Sequence, residues 1–183
     1  MQNTIADYLR FENASNDKHE FVRGLIVAMT GGSINHARLV TSVAVQLGSQ
    51  LRGRTCEAFS SELRIRVAGD ELIFYPDASV VCTKPIIDIE DKHAINNPTV
   101  IVEVTSPSTA AYDRTEKFAF YQLIETLREY VIVSHAQQLV EVFRLGDDGQ
   151  WALVMQAAKG KLRLESVDCE LDIEDLYARV TGL

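Results

Sequence analysis

Residues 100–105 read Val-Ile-Val-Glu-Val-Thr, a β-branched run interrupted by a single carboxylate. Val, Ile and Thr favour a packed, pleated surface, and a run apolar on both faces belongs in the middle of a sheet. Alternation assigns Ile101, Glu103 and Thr105 to one face and Val100, Val102 and Val104 to the other. Glu103 is thereby carried into an apolar interior, where an isolated charge costs on the order of several kcal/mol. It must be paired, protonated or bound to a metal.

Asp77 shows the same anomaly. Tyr75-Pro76-Asp77 opens a strand continued by Ala78, Ser79, Val80, Val81 and Cys82, and proline is tolerated at a strand start because no ladder donor is needed there. Two carboxylates at strand positions suggest one shared site. An Asp and a Glu on neighbouring strands suit Mg²⁺, which takes oxygen ligands and keeps several waters. Downstream, Arg114, Lys117 and Tyr121 lie i, i+3 and i+7 on one stripe of an expected helix. Lys117 is placed to face the carboxylates and to stabilise phosphorane charge or orient the attacking water. The same residues also read as an internal salt-bridge network with no catalytic role.

The rest of the chain supplies the frame. A helix is expected over Ile5–Phe11, and Asn13-Ala14-Ser15 offers a cap for a second, short helix over Asn16–Glu20. Leu25–Met29 reads as a strand ending in a turn at Thr30–Ser33. Asn35 then caps a helix to about Arg52, with Leu39, Val40, Val43, Leu47 and Leu51 on one stripe. Leu63–Val67 and Leu72–Phe74, joined at Gly69-Asp70, form a hairpin whose wet face carries Arg64 and Arg66. Thr83–Pro98 reads as a surface loop. Asp113 and Glu116 resemble a capping box opening a helix with Phe120, Leu123, Ile124 and Leu127 buried. Strands follow at Glu129–Ser134, Leu139–Leu145, Trp151–Ala157 and Lys161–Leu164, and a helix closes the chain over Ile173–Val180. This order is that of an α/β or α+β protein, a sheet with helices against it, in one domain over residues 1–183.

Charge and composition narrow the function. With 26 acidic against 18 basic residues and a net charge of −8, the chain has the wrong sign to coat DNA. A nucleic-acid role requires a local basic face or a metal. Cys56, Cys82 and Cys169 form no CxxC pair and read as buried or idle thiols. No apolar run reaches the roughly 18 residues of a membrane span, and the first residues have no signal-like apolar stretch, so the expectation is a cytoplasmic protein with no membrane contact. Ser106, Ser108 and Thr109 lack a His and Asp placed to complete a triad, and suit turns and caps.

The segments 18–29 (Lys-His-Glu-Phe-Val-Arg-Gly-Leu-Ile-Val-Ala-Met), 35–38 (Asn-His-Ala-Arg), 74–77 (Phe-Tyr-Pro-Asp), 102–109 (Val-Glu-Val-Thr-Ser-Pro-Ser-Thr) and 113–117 (Asp-Arg-Thr-Glu-Lys), in this order, resemble the Uma2 family. That family is grouped with predicted restriction endonucleases of the PD-(D/E)XK nuclease superfamily. The resemblance implies a restriction-endonuclease-like core, a central mixed β-sheet flanked by helices, with additional C-terminal strands. It implies a metal-dependent endonuclease using Mg²⁺ or Mn²⁺ on nucleic acid, DNA above all, in which Asp77 and Glu103 hold the metal and Glu20 assists. Thr105 stands where the motif has its lysine, and the resemblance makes Lys117 on the next helix the replacement. His36, Tyr121 and Arg114 are auxiliary candidates, and Arg64 and Arg66 are candidates for phosphate contact. A homodimer would suit cleavage of two strands. The alternative is a non-catalytic module on the same fold that binds nucleic acid or protein, an alternative that Thr105 favours.

Overall fold

The computed structural model describes every residue except Met1, Thr30, Ala68 and Asp70, so the turns expected at Thr30 and Asp70 lie partly outside the described residues. The chain begins with helix α1 (Ile5–Ala14), opened by a capping box in which the Thr4 hydroxyl accepts from the Asp7 amide and the Asp7 carboxylate accepts from the Thr4 amide. Strands β1 (His19–Val22) and β2 (Leu25–Ala28), helix α2 (Ile34–Leu51), and strands β3 (Glu57–Ser60), β4 (Arg64–Val67), β5 (Leu72–Phe74) and β6 (Ala78–Val81) follow. Then come β7 (Ala94–Ile95), β8 (Val100–Thr105), helices α3 (Ala110–Arg114) and α4 (Glu116–Tyr121), and strands β9 (Glu129–Ser134), β10 (Val140–Leu145) and β11 (Trp151–Ala157). A two-stranded ribbon of β12 (Lys161–Leu164) and β13 (Cys169–Asp172) leads to α5 (Ile173–Tyr177).

The main sheet is mixed and six-stranded, in the order β11-β10-β9-β8-β6-β3. The apolar run 100–105 lies inside it as β8, antiparallel to β6 and parallel to β9. A parallel pair needs a crossover, and α3 and α4 provide it. A second sheet, β2-β1-β5-β4-β7, packs against the face of the first that carries Ile101 and Ile132.

Three cores result. On one face of the main sheet, Leu39, Val43, Leu47 and Leu51 of α2 pack on Val100, Val102, Val104, Val131 and Val133, with β12, β13 and α5 completing the cover. Each such side chain contributes roughly 1.5–3 kcal/mol by leaving water. On the other face Ile101, Tyr130 and Ile132 meet Phe118 and Tyr121 of α4 and Ile65, Leu72 and Phe74 of the second sheet. A third cluster joins Ile5 and Tyr8 of α1 to Phe21 and Ile73 on the far side of the second sheet.

Several expectations are corrected by tertiary partners. Residues 16–20 form no helix; His19 and Glu20 open β1, because Glu12 accepts the His19 amide and Phe21 is drawn under α1. Helix α2 is capped by Ser33, whose hydroxyl accepts from the His36 amide, while the Asn35 side chain donates to the Thr181 carbonyl. The β4–β5 hairpin has no wet face, since Arg64 and Arg66 are both buried. The loop 83–98 covers them: β7 pairs with β4, Asp91 lies 2.9 Å from Arg64, and Glu90 lies 3.4 Å from Arg66. Cys56 and Cys82, expected to be idle thiols, form a disulfide between the start of β3 and the end of β6; Cys169 is free and buried. Among the described residues, no helix is long and apolar enough to cross a membrane.

Candidate active site

Period-two alternation turns Glu103 away from α2 and toward the second sheet, where it is 5% exposed. Its Oε1 is held twice: the Tyr121 hydroxyl donates to it at 2.8 Å, and Lys117 Nζ lies 2.8 Å away. Lys117, at 6% exposure, is equally enclosed, and its ammonium also lies 2.9 Å from Glu20 Oε1. Glu20 reaches the site from β1, in the opposite sheet, and not from a helix; its Oε1 accepts from the Tyr75 amide at 3.4 Å. The Phe74 and Tyr121 rings lie beneath the ammonium, with centroids 5.5 and 5.9 Å from Nζ.

Asp77 immediately precedes β6. Its Oδ2 accepts from the Val104 amide at 2.8 Å and lies 3.4 Å from His36 Nε2, at the start of α2. Glu20, His36, Asp77, Glu103, Asp113 and Lys117 all border one cleft of about 260 Å³, rimmed by Val27, Met29, Tyr112 and Thr109. Four carboxylates and one ammonium therefore share a small space.

Burial sets the protonation of this cluster. Desolvation pushes Glu103 up to about 8, although Lys117 opposes the shift. Burial works against the charge on Lys117, but Glu103 and Glu20 outweigh it and hold the ammonium well above its ordinary range. Asp113 is raised by burial, with Lys117 again opposing. His36 is raised by its hydrogen bond to Asp77, against the effect of its own burial. A helix dipole alone would keep that ring neutral; the carboxylate beside it has the larger effect.

The sequence candidates thus divide. Glu20, His36, Asp77, Glu103, Lys117 and Tyr121 come together. Arg114 does not, because its guanidinium turns to the Glu141 carboxylate on β10, with Nε at 2.9 Å from Oε2. Arg64 and Arg66 lie outside the residues bordering the cleft and are committed to Asp91 and Glu90. Asp113, expected at a helix cap, lies inside α3, buried and bordering the cleft. Its i, i+4 relation to Lys117 was the available signal, obscured because the helix breaks at Thr115, with φ −120° and ψ −90°.

The donor chemistry is compatible with a divalent ion. Among the described residues, Asp77 Oδ1 and Glu103 Oε2 accept no hydrogen bond, so each carboxylate keeps one oxygen for a ligand. Two carboxylates with water suit Mg²⁺ or Mn²⁺. Among the described residues, no group of three or more His, Cys, Asp or Glu is arranged to hold a metal.

The fold is a mixed α+β one, with helices against mixed sheets. Over 96% of this chain and 97% of the other, the fold superposes with a TM-score of 0.75 and 18% identity on the crystal structure described as "a putative nuclease belonging to DUF820" from Anabaena variabilis. The chain belongs to the Uma2 family, described as "Putative restriction endonuclease", whose model matches residues 5–176. Two uncharacterized proteins of a Synechocystis strain are similar to it. One, sll1609, is 36% identical over 82% of this chain and 85% of its own; the other, slr1290, is 33% identical over 93% and 89%.

Proposed function

We propose that this protein is a metal-dependent endonuclease hydrolysing phosphodiester bonds in nucleic acid, with DNA as the substrate. Asp77 and Glu103 hold Mg²⁺ or Mn²⁺, and Lys117 supplies the positive charge that the motif lysine supplies elsewhere. The observation that carries the reading is Lys117 Nζ at 2.8 Å from Glu103, in the cleft that Asp77 borders, with Thr105 at the usual lysine position.

Each side chain has a task. The Val104 amide fixes Asp77, and Tyr121 with Lys117 fixes Glu103, so that both carboxylates present one oxygen in a set direction. A divalent ion held there by Asp77 and Glu103 would supply Lewis-acid charge and lower the pKa of water. Lys117 offers a charged donor beside the reacting phosphate, and His36, kept protonatable by Asp77, stands at the cleft edge. Metal and ammonium also offset the repulsion between an acidic cleft and a polyanion. A homodimer would present two such clefts to two strands.

A second reading, a non-catalytic module that binds nucleic acid or protein, is favoured by one observation. Lys117 is already satisfied by two carboxylates, as a structural network requires. The deciding experiment offers supercoiled, linear, branched and single-stranded substrates with Mg²⁺ or Mn²⁺ to wild type, Asp77→Ala and Lys117→Ala. Metal-dependent cutting lost in both variants is expected. Equal cutting by all three refutes this site, and no cutting together with no Mn²⁺ binding selects the binding module.

A further inference from the structure

We infer that Glu20 is a positioning residue that holds Lys117 in the cleft, not a third ligand of the metal. The inference rests on the proposed function and refines it. Lys117 Nζ contacts one carboxylate from each sheet, Glu103 at 2.8 Å and Glu20 at 2.9 Å. Only Glu103 shares its strand neighbourhood with Asp77, through the β6–β8 pairing and the Val104 amide that Asp77 accepts. Glu20 comes instead from β1 in the other sheet, with its Oε1 directed at the ammonium and the Tyr75 amide. Among the described residues, it joins no three-residue group able to hold a metal.

Charge balance explains why a second carboxylate is needed. A metal held by Glu103 would compete with Lys117 for that carboxylate. An ammonium 6% exposed has little water to replace it, and a buried, unpaired cation costs on the order of several kcal/mol. Glu20, anchored on a separate sheet, remains to keep the ammonium charged and in place over the Phe74 and Tyr121 rings. The lysine would then keep its place in the cleft where a metal is held by Glu103.

The test separates ligands from positioners in the full chain. Calorimetric Mn²⁺ titration should show a larger loss of affinity for Asp77→Asn and Glu103→Gln than for Glu20→Gln, whose main effect should fall on the cleavage rate. In plasmid cleavage, Glu20→Gln and Lys117→Met should each slow the reaction. The double variant should be no slower than Lys117→Met alone, and Glu20→Asp should recover part of the rate. Thermal unfolding of each variant confirms that it is folded. A Glu20→Gln loss of Mn²⁺ affinity matching that of Glu103→Gln makes Glu20 a ligand and overturns the inference. Losses that multiply in the double variant show that Glu20 does not act through Lys117, and also overturn it. A wild type that binds no Mn²⁺, or binds it without cutting, instead refutes the proposed function and takes this inference with it.

Discussion

Replacing Lys117 by Met keeps most of the side-chain volume and removes the charge between Glu20 and Glu103. At the observed 2.9 and 2.8 Å, each contact is worth about 6 kcal/mol of gross attraction at an effective dielectric near 20. Desolvation of the ions cancels much of this, and breaking a buried pair by deleting one partner costs about 3–5 kcal/mol net. That value applies where both carboxylates are ionised. Glu103 retains a proton until about pH 8, so at pH 6 the loss should be smaller and come mainly from Glu20. Above pH 8 the wild-type pair is fully charged, whereas the variant keeps Glu103 protonated. The loss then grows by up to about 1.4 kcal/mol per pH unit. Urea unfolding of both proteins at pH 6 and pH 9, with unchanged m-values, measures the difference. A loss below about 0.5 kcal/mol at pH 9, the range of an ordinary surface substitution, or one that does not grow with pH, would refute the placement of the ammonium between these acids.

Two further outcomes are expected. Glu103 has a folded-state pKa raised from 4.5 to about 8, so the folded protein holds the extra proton and this group's stabilisation is complete below 4.5 and lost as pH rises toward 8. Glu103→Gln should therefore flatten the decline in urea-measured stability between pH 5 and pH 8.5, and an unchanged slope would show that another group causes it. Arg114→Ala should cost about 1–3 kcal/mol by stripping the buried Glu141 of its guanidinium, while leaving Mn²⁺ binding and cleavage rates at wild-type values. A selective loss of cleavage would return Arg114 to the site.

What could be read from the chain follows from how local each determinant is. Residues 129–134, 151–157 and 161–164 are strands at the expected bounds, and the strand expected over 99–105 begins one residue later, at Val100, because apolar runs and alternation are written in adjacent positions. Asp77 and Glu103 stood out for the same reason, as charges among apolar neighbours. The two-residue strand β7 was invisible because only pairing with β4 defines it. Arg64 and Arg66 looked solvated because the acids that bury them, Asp91 and Glu90, lie in a segment without periodicity. The disulfide joins residues 26 apart, which alternation cannot reveal. Asp113 was hidden by the break at Thr115, which changes the helical phase on which the stripe was drawn.

The crossover from β8 through α3 and α4 to β9 sets the order in which the site can assemble. Glu103 and Lys117 are 14 positions apart within that one unit, so a short loop closure suffices to bring them together. Glu20 is 83 positions before Glu103 and belongs to the other sheet, so its contact waits until the two sheets dock. The Lys117–Glu20 contact spans the two sheets, whereas the Lys117–Glu103 contact stays within the β8–α3–α4–β9 unit. The completeness of the Glu20–Lys117–Glu103 cluster is thus a direct report on whether the two sheets are docked.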